Sequence, residues 1–230
     1  NFVIEKRSPG GGLVYRRNTV SPTTSTFSAR FRPTPDGGIA APDQDRMLSI
    51  VGLSLVDAMA ALTPDESAAT HRRLGEAYKQ AFWDLRLSGT HPEALFNGAR
   101  DLLEDLRGRG VVLGIATGKS RRGVDHLIAA HGFANWFATV QTSDTHPSKP
   151  HPSMIVTALA ETGCDPAATI MIGDTSFDMS MARQAGVAAA GVAWGNHPAT
   201  ELVAAGAHRV SKNFKQLALD LEALWEERGR

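Results

Sequence analysis

From about Pro92 onward, short apolar runs alternate with stretches whose apolar residues recur three and four positions apart. Val111–Ala116, Ala138–Val140, Ile170–Ile172 and Ala189–Ala193 read as strands. Between them, Gly98–Arg107, Arg121–Ala130, Pro152–Glu161 and Phe177–Gln184 carry helical patterns, and a last helix is expected over Lys212–Glu227. That order predicts an α/β fold, a parallel sheet with helices on both faces. Asp43 to Arg86 shows no convincing strand and reads as a small helical subdomain, with Pro64-Asp65-Glu66-Ser67 opening one of its helices.

The polar residues that interrupt the apolar runs stand at strand ends. Thr169-Ile170-Met171-Ile172-Gly173-Asp174 is a buried-strand pattern that delivers a carboxylate to the strand's C-terminal edge, and Asp178 follows four residues later. Open α/β sheets hold their ligands at such strand-to-helix turns. Hard oxygen donors at this spacing suit Mg²⁺, which accepts one or two carboxylates and keeps water or phosphate. The competing reading is structural: Asp174 caps the turn, and Asp178 favours the positive end of the next helix. The strand Val111–Ala116 runs into Thr117-Gly118-Lys119-Ser120, where a hydroxyl and free backbone N–H groups make an anion site or, equally, a capped helix start. It is not a Walker loop, because the first glycine of that pattern is not in place. Lys149, pinned between Ser148 and Pro150, has a restricted backbone and a charge suited to an anionic substrate.

Composition narrows the choices. Lys plus Arg equals Asp plus Glu, at 24 each, so there is no global basic field and no nucleic-acid partner is expected. One cysteine, Cys164, excludes an internal disulfide and a multi-cysteine metal site. No apolar run reaches the roughly 18 residues that cross a bilayer, and no secretory h-region stands out, so a cytoplasmic protein without a membrane partner is expected.

Taken together, the order is an apolar strand with Thr117, then Lys149-Pro150, then an apolar strand with Gly173-Asp174 and Asp178. This resembles motifs two, three and four of the haloacid dehalogenase (HAD) superfamily, in its phosphatase-rich branch with a helical cap, the phosphoglycolate-phosphatase type. The resemblance spans about residues 41 to 225 and includes Gly52-Leu53-Ser54-Leu55, Phe96-Asn97-Gly98 and Gly191-Val192-Ala193-Trp194-Gly195. A response-regulator receiver also combines acids, Thr and Lys around Mg²⁺, but its acids come first in the chain. The resemblance implies a Rossmann-like core over residues 92–230 and a helical cap over 41–91 that closes over a small phosphorylated metabolite. It implies an aspartyl-phosphate intermediate and a second aspartate as general acid and base. Thr117 and the Gly118 N–H would hold phosphoryl oxygens, and Lys149 would neutralise developing charge. Asp174 would ligate Mg²⁺, and Asp178 would ligate it or orient a metal-bound water.

The family's first motif, an apolar strand ending Asp-x-Asp-Gly-Thr, does not occur in this sequence, and no nucleophile is found. Asp43-Gln44-Asp45 follows Pro42 with no strand before it, and Asp36-Gly37-Gly38 lacks the partner aspartate. The family's spacing places the motif near Leu13–Thr19, where Arg16 and Arg17 stand instead. Residues 1–40 hold six Lys or Arg against Glu5 and Asp36, with a Ser/Thr-rich run at Thr19–Ser28 that reads as loop or disorder. A transit peptide has such a composition, but it would precede the motif rather than replace it. The hypothesis that fits is translation out of frame. Arg16–Val20 can be encoded CGA CGG AAC ACT G, and a one-base shift gives GAC GGA ACA CTG, or Asp-Gly-Thr-Leu. A start at Asn1 rather than Met accords with it. Sequencing the encoding DNA tests the idea: an indel is expected, and an intact upstream frame contradicts it. The first strand would be central in the sheet, so either Gly12–Arg16, favoured by spacing, or Phe2–Ile4 is expected to fill its place.

Other residues read as ordinary structure. His91, His146, His151 and His197 each precede proline and look like turn elements, although His146 and His151 flank Lys149 closely enough to touch substrate. Trp83, Trp136 and Trp225 read as core or interface aromatics, and Arg121 with Arg122 as a solvated helix face. The expectation is an Mg²⁺-dependent small-molecule phosphatase by lineage. Its alternatives are a non-catalytic protein that keeps the phosphate or metal pocket, a phosphosugar mutase, and a dehalogenase proper, whose chemistry needs no metal.

Overall fold

The computed structural model describes residues 2–5, 42–87 and 95–228. These form two compact units, residues 2–5 with 95–228 in one and residues 42–87 in the other.

The larger unit is built on a six-stranded sheet in the order β3-β2-β1-β4-β5-β6. Its strands are β1 (Phe2–Glu5), β2 (Val112–Thr117), β3 (Thr139–Thr142), β4 (Thr169–Gly173), β5 (Ala188–Val192) and β6 (Arg209–Ser211). β2 with β3, β4 with β5 and β5 with β6 pair in parallel. Alternate residues feed opposite faces. Ile170, Ile172, Ala188 and Ala190 join Leu103, Leu106, Leu217 and Leu221 on one side. Met171 and Ala189 join Met154, Ile155, Met179 and Leu202 on the other. This period of two explains why β4 and β5 read as unbroken apolar runs: both faces are covered. The expected strands and helices are present within one or two residues, and Arg121–Ala130 has the bounds expected of it. Two short elements escaped the sequence reading, the helix Ala199–Ala204 and the strand β6.

The smaller unit is helical: α1 (Gln44–Ser49), α2 (Leu55–Leu62) and α3 (Ala68–Leu87). Asp43 caps α1, its Oδ1 accepting the Arg46 N–H at 2.8 Å, so Asp43-Gln44-Asp45 is a helix start. Ser54 caps α2, and Ser67 accepts the Thr70 N–H at 3.2 Å at the start of α3. The core helices that follow are α4 (Ala99–Gly108), α5 (Arg121–Ala130), α6 (Ser153–Thr162), α7 (Ser176–Gln184), α8 (Ala199–Ala204) and α9 (Phe214–Arg228).

The central strand departs from expectation. β1 fills the place between β2 and β4, but it runs antiparallel to both. Phe2 lies opposite Ile115 and Ile172, and Glu5 lies opposite Val112 and Thr169. The strand therefore points away from the edge at which β2 and β4 end. Three successive apolar residues suit a position covered on both faces, which Gly12 and Arg16 do not. Gly12–Arg16, the Leu13–Thr19 position and the whole of 6–41 lie outside the described residues, as does His91.

Candidate functional site

The site is assembled where β2 and β4 end. Thr117 is the last residue of β2, and its Oγ1 accepts the Lys119 N–H at 3.2 Å. Ser120 then caps α5, accepting the Gly123 N–H at 3.3 Å. The loop after β3 is tied to this turn. The Ser143 N–H and hydroxyl both donate to the Lys119 carbonyl at 3.2 Å, and Asp144 accepts the Arg121 N–H at 2.6 Å. The capped helix start read at Thr117–Ser120 is thus present, and Thr117 stands at the end of β2. The Arg121 side chain pairs with Asp125 at 2.9 Å on an exposed face, as expected.

The second loop brings Lys149 to the same edge. Lys149 is 2 % exposed, and its Nζ donates to the Ala116 carbonyl at 3.0 Å and to Asp178 Oδ1 at 2.7 Å. An ammonium has three N–H donors. Two are used among the described residues, one of them on the carbonyl of the residue before Thr117. Asp178 is fully buried, and its other oxygen accepts the Thr175 N–H at 3.1 Å and the Thr175 hydroxyl at 2.7 Å. Thr175 and Asp178 form a reciprocal capping box at the start of α7. Asp178 therefore cooperates with Lys149 directly, a pairing across 29 residues that the sequence did not reveal. Gly173 makes this possible, since a Cβ there would lie 2.3 Å from the Asp178 Cβ.

Asp174 follows β4 and is 4 % exposed. Its Oδ2 accepts the Asn196 N–H at 3.0 Å and the Asn196 side-chain amide, and its carbonyl accepts the His197 N–H at 3.0 Å. Gly195 lets that loop approach, because a Cβ at this position would lie 2.1 Å from the Asp174 Cβ. His197 closes the arrangement by accepting the Ser176 N–H on its Nδ1 at 3.1 Å, at the N-terminus of α7. Asn196 and His197 were missed as site residues. The only signal for them was their position just after the glycine that ends the Trp194-Gly195 segment.

Lys149 and Asp178 are thus paired at the Ala116 carbonyl, one residue before Thr117, and Asp174 opens the same α7 turn. Strand spacing puts the ends of β2 and β4 roughly 10 Å apart, with β1 between them. As an Mg²⁺ ligand Asp174 fits in its chemistry, being a hard carboxylate at a strand edge. Asp178 has both oxygens engaged by Lys149 and Thr175. No group of three metal-ligating side chains converges among the described residues. Nor does β1 bring a carboxylate to this edge. Glu5 is aligned with Val112, five residues before Thr117, or roughly 17 Å away along the sheet.

His146 does not face an open site: Nε2 bonds Gln141 at 2.8 Å and Nδ1 bonds Ser153 at 2.8 Å. His151 accepts the Ser153 N–H at 3.2 Å as part of its turn. Trp136 packs against the core and Trp225 lies within it, donating its Nε1–H to the Ala168 carbonyl at 2.9 Å.

A sheet of this order, with helices on both faces and Thr117, the buried Lys149, Asp174 and Asp178 at or just beyond its strand ends, defines a Rossmann-like α/β core. The pattern of haloacid dehalogenase-like hydrolases matches residues 19–192, and the chain belongs to that family. It is 38% identical over 135 residues to a probable phosphatase, IndB, of Dickeya dadantii, covering 58% of each chain. It is 36% identical over 111 residues to the phosphoglycolate phosphatase of Synechococcus elongatus, covering 48% of this chain and 51% of that one. The chain thus spans about half the length of these curated relatives. A hydrolase from Pseudomonas syringae has the same fold, with a TM-score of 0.76 at 22% identity, covering 93% of this chain and 98% of its own. Among the described residues, no helix is long and apolar enough to cross a membrane.

Proposed function

We propose that this chain carries the phosphoryl-binding and metal-binding half of a HAD-type phosphatase for a small phosphate monoester. One observation supports this most: Lys149 is buried and oriented by Asp178 and by the carbonyl of Ala116, the residue next to Thr117. In this reading the Thr117 hydroxyl and the Gly118 N–H take phosphoryl oxygens, and Lys149 offsets the charge of the bound group. Asp174, held by Asn196, would be the chain's Mg²⁺ ligand. The metal would supply Lewis-acid stabilisation of phosphoryl charge. Asp178 holds Lys149 in place, and beyond that it is at most a partner of metal-bound water. Substrate choice is assigned to the helical segment 41–91 by the family resemblance.

Turnover needs a nucleophilic aspartate and a second acid, and neither is supplied by an Asp-x-Asp-Gly-Thr in this sequence. A phosphate binder of phosphatase lineage is therefore the alternative to an active enzyme. Calorimetric titration with orthophosphate, with and without Mg²⁺, tests the proposal. Binding that weakens about tenfold in Thr117→Val, as loss of one or two hydrogen bonds predicts, supports it. Equal affinity in the variant contradicts it.

A further inference from the structure

A polar chain anchored on the buried Thr139 and Gln141 leads to the loop that carries Lys149, outside the groups given roles above. Glu161, at the end of α6, accepts the Thr139 hydroxyl at 2.5 Å and the Gln141 amide N–H at 2.7 Å. The same amide nitrogen bonds Thr139 Oγ1 at 2.6 Å. With its nitrogen so engaged, Gln141 presents Oε1 to His146, which must donate from Nε2 at 2.8 Å. The neutral ring then accepts the Ser153 hydroxyl on Nδ1 at 2.8 Å. Thr139 and Gln141 are each 5 % exposed, so their polar atoms depend on these partners.

The sequence positions give this chain its significance. His146 stands three residues before Lys149, and Ser153 stands four residues after it. Their hydrogen bond closes the loop across Lys149, while the other ring nitrogen ties the loop to β3. On the far side, Gln184 of α7 donates to the Pro150 carbonyl at 2.9 Å. Held at both ends, the loop loses its freedom before any ligand arrives, which lowers the cost of ordering Lys149 on binding.

We propose that His146 is a positioning residue for Lys149: bridging Ser153 and Gln141, it holds the loop so that the ammonium stays at the Ala116 carbonyl and Asp178. The inference deepens the proposed function, resting on Lys149 as the phosphate-binding group. It is tested on the full chain by two readouts. The first is the acetylation rate of Lys149 under a brief pulse of acetic anhydride, read by mass spectrometry against Lys79 and Lys212. The second is affinity for orthophosphate. His146→Leu should raise Lys149 acetylation about tenfold and weaken phosphate binding by a similar factor. His146→Asn, which keeps a polar atom where Nδ1 stands, should restore most of both. Amide protection of Ile170–Ile172 checks that the sheet is intact. If His146→Leu does not fold, Ser153→Ala carries the test, because it removes one hydroxyl only. Unchanged Lys149 acetylation in an intact fold overturns the inference. Raised acetylation with unaltered phosphate affinity supports the positioning role and contradicts the assignment of Lys149 to phosphate.

Discussion

Gly173 and Gly195 are the residues through which the two site aspartates are seated most closely. An alanine Cβ would fall 2.3 Å from the Asp178 Cβ in the first case and 2.1 Å from the Asp174 Cβ in the second. Neither neighbour is the far end of a flexible side chain, so backbone must shift, at a cost of about 1–3 kcal/mol. Both alanine variants should lower the urea midpoint, and Gly195→Ala should also weaken Mg²⁺ binding. Unchanged midpoints would mean that the loops yield freely. Asp178→Ala should cost more, about 3–5 kcal/mol, because it strands the Lys149 charge in a site with no exposed side-chain surface. A loss under 1 kcal/mol in urea unfolding would show that the pair is not buried in solution. At this scale the sequence disclosed the carboxylates and the lysine but not their pairing. Asp178 meets Lys149 from 29 residues away and Asn196 meets Asp174 from 22, and no local periodicity encodes either contact.

At the scale of elements, α6 and β3 are joined by the neutral His146. Burial lowers its affinity for protons below the ordinary value of 6.5, with Glu161 opposing the shift and His151 adding to it. A folded pKa below the unfolded one means that the unfolded chain binds more protons in the interval between them. Stability should therefore fall as pH drops below about 6.5 and should continue falling until the folded pKa is passed. His208 is lowered, first by burial, and contributes with the same sign. Urea midpoints from pH 7.5 to 5 should slope less steeply in His146→Asn, and an unchanged slope would contradict the account. Capping at α7 is testable in the same way: Thr175→Ala removes an N-cap and a donor to Asp178, for a loss of about 1–2 kcal/mol. Long elements were legible because an apolar stripe of three turns has a readable period. Ala199–Ala204 and Arg209–Ser211 were not, since six and three residues carry no period and Arg209 and Ser211 are polar.

For the whole molecule, the central question is what stands between β2 and β4. β1 supplies backbone partners to both, so a proline within it would break ladder bonds at the middle of the sheet. Val3→Pro should destabilise the chain by about 3 kcal/mol or more. Retained stability would show that the sheet does not need this strand. Phe2-Val3-Ile4 was one of two apolar candidates for the place, and spacing favoured the other, Gly12–Arg16; the direction was not readable, because an apolar run has the same pattern read either way. The direction matters for function, since only a strand ending beside Thr117 and Asp174 can place a nucleophile there. The most direct measurement is Mg²⁺-dependent hydrolysis of an aryl phosphate by the chain as it stands, beside a version with Asp-x-Asp-Gly-Thr installed at Val14–Asn18. The account predicts turnover only in the second protein, where the strand ending in the installed motif must replace Phe2–Glu5 between β2 and β4, and its loss there on Asp174→Asn. Turnover by the unaltered chain, lost on Asp174→Asn, would show that another nucleophile exists and would contradict it.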